Sequence, residues 1–256
     1  MKNSIRNCQL NKQSTLELFG IKFCKVSYEK ILDAIEFAIL NKNQTTFCYA
    51  NVNSINLSIN DKSIIQLLSE FNIVHPDGFG VFLGSKVLFG RDGFSFRQSG
   101  SDLYERIIER SILKNWKLFI FGDTDETLGR IKYQYPVLSI VGKQNGYYFE
   151  NEQLISEIIN SKPDILIVGL GTPKQEEWIV KNKSNLLVNV IIAVGDGIKV
   201  FAGNKKRGPK IIQKLGFEWF IRFIFEPKRL WKRYFIGIPL FIFRVIKFKF
   251  TNTKTG

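Results

Sequence analysis

The chain predicts an α/β fold: a mostly parallel sheet with helices on both faces, extended by a basic helical segment at its carboxyl end. Three observations carry this reading. Between residues 45 and 193, short apolar β-rich runs alternate with longer amphipathic stretches, as in repeated βαβ units. Several of those stretches open on helix-start residues: Asp61, the pair Ser101 and Asp102, and Pro173 after Thr172. Residues 204–256 stand apart in charge. They hold 14 of the 37 Lys and Arg but only two of the 23 acids, Glu218 and Glu226, and so carry +12 of the formal net charge of +14.

In chain order, a polar lead precedes a short strand near residues 21–26 and a helix near 28–40. Core strands are expected near 46–50, 72–75, 117–121, 138–141, 165–169 and 188–193, and helices near 61–70, 101–114, 124–135, 151–161 and 173–183. A chain of 256 residues suits one large domain with an appendage, so the boundary falls at residue 203: 1–203 form the core and 204–256 the basic aromatic tail. With 45% hydrophobic and 23% charged residues, the composition is that of a folded domain and excludes wholesale disorder.

Cys8, Cys24 and Cys48 share no metal-ligand spacing and His75 is the single histidine, so neither a metal nor any other cofactor is expected. Cysteines without evident partners, and no apolar amino-terminal stretch, point to a reducing cytoplasm. Residues 234–243, the longest apolar run of the tail, reach about half of the ~20 residues a spanning helix needs. The tail is therefore expected to lie on an anionic surface, either lipid headgroups or nucleic acid. The charge excess of the body is only +2 and no recognition motif appears, which argues against a nucleic-acid partner.

Ligands of open α/β sheets bind beyond the carboxyl ends of the strands, so the residues just after each strand hold the chemistry. Asp77, between Pro76 and Gly78, is held on a tight turn where its carboxylate can act as a general base or simply cap the next helix. His75 beside it reads as a packed or solvated strand-end residue. Gly169, Gly171, Pro173, Lys174, Gln175 and Glu176 form a small-residue turn into a helix, suited to a phosphate-bearing substrate or to turn geometry alone. Gly195, Asp196 and Gly197 make another glycine-rich edge. Asp123 and Asp125 could suggest a metal-diphosphate pair, but helix capping is the favoured reading.

Four motifs in order resemble the WecG/TagA/CpsF glycosyltransferase family across roughly residues 18–245. They are Pro76-Asp77-Gly78-x-Gly80-Val81; Arg97-x-x-Gly100-Ser101-Asp102-Leu103; Gly169-x-Gly171-x-Pro173-Lys174-Gln175-Glu176-x-Trp178; and Glu218-Trp219-x-x-Arg222 followed by Glu226-Pro227-x-Arg229-Leu230. The resemblance implies a Rossmann-like core and metal-independent, inverting transfer of an N-acetylmannosamine-type sugar. The donor would be a UDP-sugar and the acceptor a polyprenyl-diphosphate-linked sugar, at the inner face of the cell membrane. It implies Asp77 as base, Asn51 and Gln175 as catalytic partners, and Arg97, Gly169, Gly171, Pro173, Lys174, Glu176, Gly195, Arg222, Arg229 and Arg233 as substrate-binding. Tyr49 stands where the family commonly has threonine, and Ile198-Lys199 where it often has Phe-Asp. Two readings of other classes stand beside this one: a nucleic-acid-binding module using the tail, and a noncatalytic scaffold of a polysaccharide assembly complex. Association into a homo-oligomer is left open.

Overall fold

A computed structural model describes residues 15–203 and 218–252 of the chain. It opens with an antiparallel hairpin, β1 (Thr15–Leu18) and β2 (Ile21–Cys24), then α1 (Tyr28–Leu40). The main sheet is built from β3 (Thr45–Ala50), β4 (Ile73–Pro76), β5 (Leu118–Gly122), β6 (Ile140–Gln144), β7 (Ile165–Gly169) and β8 (Val190–Ala193). Between and after the strands come α2 (Val52–Asn60), α3 (Ser63–Ser69), α4 (Phe79–Phe89), α5 (Gly100–Lys114), α6 (Asp125–Gln134), α7 (Asn151–Ser161), α8 (Lys174–Asn182) and α9 (Ile198–Phe201). The tail forms α10 (Glu218–Phe225), α11 (Pro227–Trp231), a π-helical turn (Lys232–Gly237) and α12 (Ile238–Asn252).

The six strands are all parallel, in the order β4-β3-β8-β7-β5-β6. Their side chains alternate between two cores. Cys48, Val74, Phe119, Phe121, Leu166, Val168 and Ile191 enter one, with α2, α3, α7, α8 and the hairpin. Phe47, Ile73, Leu118, Ile120, Ile165, Ile167 and Ile192 enter the other, with α1, α5, α6 and α9. Connections stepping toward β4 cross the first face and those stepping toward β6 cross the second, which a single crossover handedness requires. The sheet is doubly wound and Rossmann-like.

Most expected elements are present, with differences that have local causes. The expected strand at 21–26 is the second arm of a hairpin whose first arm lies in the lead. Three helices of the core, α2, α4 and the four-residue α9, lie outside the expected ranges. Residues 52–60 are polar, yet Asn51 accepts from the amides of Asn53 and Ser54 while Ser54 Oγ accepts from the Asn51 amide, and this capping box starts α2. Asp61 thus ends α2, and its carboxylate accepts from Ser63 N at the start of α3. Helix α4 is apolar on most sides because it packs inward on the core and outward on α12, which erases the one-sided pattern that marks a surface helix.

That second contact fixes the described part of the tail. Phe241 and Val245 of α12 are buried against Gly84 of α4, where an added Cβ would lie 2.7 Å from Phe241 Cζ. Phe19 in the hairpin turn meets Phe241 and Phe248 edge-on. Arg244 donates to Asn56 Oδ1 at 2.7 Å, and Asn56 donates to the Gly237 carbonyl at 2.8 Å. Among the described residues, no helix is long and apolar enough to cross a membrane. Phe241→Ala is expected to lower unfolding free energy by about 3 kcal/mol, checked by urea denaturation.

Candidate active site

The helices that follow β3 and β8 leave to opposite faces of the sheet, opening a crevice between two adjacent carboxyl ends. Tyr49 and Asn51 project from the β3 side, and Val194, Asp196 and Gly197 from the β8 side. With Asp77, Tyr104, Arg233 and Tyr234 they line a small polar cavity of about 50 Å³. A second cavity, about 460 Å³ and mostly apolar, runs between α4 and α12 along Leu83, Val87, Phe241, Ile242 and Ile246. Asn51, Asp77, Arg233 and Tyr234 belong to the walls of both.

Register brings Asn51 and Asp77 together, since Ala50 pairs with Pro76 and each candidate residue is the next in the chain. The Asp77 amide donates to Ala50 O at 3.0 Å, and Asp77 Oδ1 accepts from the Gly100 amide at 2.8 Å. The carboxylate therefore sits at the amino end of α5. Capping and lining the cavity are compatible here, because Asp77 serves an amide at a helix start while staying half-exposed at the crevice. Asn51 uses its Oδ1 to cap α2, and its amide NH₂ is left as a donor at the junction of the cavities. Arg97 reaches the apolar cavity at its polar end.

The loop after β7 has a different character from the phosphate cradle that its sequence suggests. Gly169, Gly171, Pro173, Lys174, Gln175 and Glu176 line neither cavity. Lys174 is exposed, whereas Gln175 and Glu176 are fully buried. Gln175 Oε1 accepts from Gly195 N at 2.8 Å, tying this loop to the one after β8. Glu176 Oε1 accepts from Gln175 Nε2 at 2.8 Å and from Thr172 Oγ1 at 3.1 Å, while its buried Oε2 has no partner among the described residues. Burial pushes this carboxyl up from the ordinary 4.5 to about 7. Gly169 is required by packing, because a Cβ there would collide with Ile198 Cδ1.

Arg222 and Arg229 fall in α10 and α11, but their side chains lie outside the described residues. Lys199 reaches Asp196 at 3.2 Å and Glu226 at 3.9 Å, linking the β8 loop to the tail. His75 is buried and its pKa is lowered by burial, in line with a packed residue. Asp123 accepts from Thr124 N and Thr127 Oγ1 at the start of α6, as capping predicts. Tyr104 and Tyr234 were not singled out from sequence. Tyr234 adjoins Arg233 in the aromatic tail, whereas Tyr104 carries no local signal and reaches the crevice only because α5 crosses beneath it.

The polar crevice at the carboxyl edge of an open parallel sheet and the adjoining apolar trough give room for a polar and a lipophilic ligand side by side. The Glycosyl transferase WecG/TagA/CpsF family matches residues 16–255, and the chain belongs to that family. It is 28% identical, over 91% of its own length and 93% of theirs, to proteins of Staphylococcus aureus strains NCTC 8325 and COL. Both are named N-acetylglucosaminyldiphosphoundecaprenol N-acetyl-beta-D-mannosaminyltransferase.

The buried Glu176 gives a stability test. Between about pH 4.5 and 7 the unfolded chain releases this proton while the folded chain keeps it, so stability falls as pH rises through that window. The loss is on the order of 3 kcal/mol. E176Q cannot titrate, and the difference in unfolding free energy between E176Q and the parent protein should grow in favour of E176Q from pH 4.5 to 7 and level off above it.

Proposed function

We propose that this chain transfers an N-acetylmannosamine-type sugar from a UDP-sugar to a polyprenyl-diphosphate-linked sugar, with inversion and with Asp77 as base. The observation that carries this is the position of Asp77 in the wall shared by the polar and apolar cavities. A donor held over the β3 and β8 ends presents its anomeric carbon from one side, and an acceptor extended along the α4–α12 trough presents its hydroxyl from the other. Asp77 accepts the hydroxyl proton as the new glycosidic C–O bond forms and the bond to UDP breaks. A single displacement of this kind needs one base and inverts the anomeric centre.

The departing diphosphate needs positive charge. Arg233 lies at the junction of the cavities, and Arg97 flanks the trough. Guanidinium groups bind phosphate oxygens in bidentate fashion and need no proton transfer to do so. Arg222 and Arg229 are further candidates from the same tail. The relatives' names specify a lipid-linked acceptor and a mannosaminyl group, which supports the same assignment here.

The tail also supports docking on an anionic membrane. Phe220, Ile224, Trp231, Phe235 and Phe243 are exposed, as are Phe79 and Leu83 at the mouth of the trough. Lys228, Lys232 and Lys247 are exposed among them. Apolar side chains entering the headgroup region beside such cations would open the trough toward the lipid that carries the acceptor.

D77N retains an oxygen for the Gly100 amide, so it should fold. Its kcat should fall about 10²–10⁴-fold with little change in donor KM, measured with UDP-N-acetylmannosamine and a lipid-linked N-acetylglucosamine. Full turnover by the folded variant would refute the base assignment. Transfer should persist in EDTA; abolition would assign the diphosphate to a divalent ion. Reversing Lys228, Lys232 and Lys247 to Glu should weaken binding to anionic vesicles by roughly fivefold or more per residue at low salt, with the fold unchanged by circular dichroism.

A further inference from the structure

The groups around Glu176 close into a ring that the transfer mechanism does not use. Thr172 lies beside the Tyr49 hydroxyl, Thr172 Oγ1 donates to Glu176 Oε1, Gln175 Nε2 donates to the same oxygen, and Gln175 Oε1 takes the Gly195 amide. The ring closes sterically, since a Cβ on Gly195 would collide with the Tyr49 hydroxyl. Gly195 has φ +53, so both its backbone and its neighbour favour glycine. The ring thus binds together the carboxyl ends of β3, β7 and β8. Tyr49 is its one member that lines the polar cavity, and Asp196 and Gly197 of the same wall follow directly from Gly195.

We propose that Glu176 is a positioning residue for the nucleotide-sugar site, acting through Thr172 on Tyr49 and through Gln175 on the loop after β8. The inference rests on the reading of the polar cavity as the donor site. Two structural facts support it. Glu176 is fully buried, and its Oε2 has no partner among the described residues. A carboxyl group in that setting is stable as the neutral acid and costly as an anion, because burial disfavours the charge and no cation among the described residues offsets it. Among the described residues, Glu177 on its own helix, Tyr49 and Cys48 on β3, and Tyr104 on α5 interact with it, and Tyr49 in turn faces Asp77 after β4 and Arg233 of the tail. Burial holds Tyr49 as a phenol up to about 12, so across the neutral range Glu176 alone of the ring changes charge. Ionisation would place an anion in the ring and loosen Tyr49 and the β8 loop together.

The test is donor kinetics at saturating acceptor from pH 6 to 8, paired with calorimetric titration of UDP into the full-length protein. The parent enzyme should show a donor KM that rises about tenfold from pH 6 to 8, with UDP affinity falling in parallel. E176Q, which keeps an oxygen for Thr172 and Gln175 and cannot ionise, should vary less than about twofold over the same range. T172V, which removes the hydroxyl between Glu176 and Tyr49 and leaves Glu176 its bond from Gln175, should raise donor KM at every pH while kcat at saturating donor holds. A pH-flat KM in the parent, the same rise in E176Q, or a loss in kcat instead of KM would overturn the proposal. Failure of folded parent protein to bind UDP at any pH would overturn the donor-site reading, and this inference with it. UDP binding that is equally tight across the range in both proteins would overturn this inference alone.

Discussion

The register of three parallel strands is the constraint on which the site depends. Ala50 pairs with Pro76, and Phe47 pairs with Ile192, so the residues that follow β3, β4 and β8 emerge in a row at one edge of the sheet. Register is fixed because both faces are buried: a slip of one residue would send each core side chain to the opposite core. The hydrogen bonds that order the edge then follow. Asp77 is held to β3 by its amide and to α5 by its carboxylate, and Gln175 holds the loop after β7 to the loop after β8.

The tail completes what the sheet begins. Without α12 there would be no wall opposite α4, and the apolar trough would be an open face. Gly84 lets the two helices approach until Phe241 and Val245 join the core, while Ile242 and Ile246 remain along the trough. Arg233 and Tyr234 then hang from the π-helical turn that leads into α12, over the crevice at β3 and β8. The same segment therefore supplies a cation to the proposed chemistry and an exposed aromatic, cationic face to the proposed membrane surface.

Much of this was legible in the chain itself. Alternation of short apolar runs and amphipathic stretches gave the parallel sheet, the rule that ligands lie beyond strand carboxyl ends pointed to Asp77, and the family resemblance pointed to Asn51. The same rule misled at Gln175 and Glu176. A glycine-rich turn into a helix has the same sequence whether its polar side chains face a ligand or a neighbouring loop, and here they face inward. Helix α4 was hidden for a related reason, since a helix covered on two sides loses the periodicity that reveals one covered on a single side.

The sequence by itself determined the doubly wound sheet, the edge at which chemistry would occur, and the charge asymmetry of the tail, because each depends on local periodicity or on simple counts. Only the tertiary structure decided that Asp77 stands between two cavities, that Glu176 is a buried acid closing a ring, and that Tyr104 reaches the crevice. These depend on contacts between residues far apart in the chain, and no local pattern records which distant surfaces will meet.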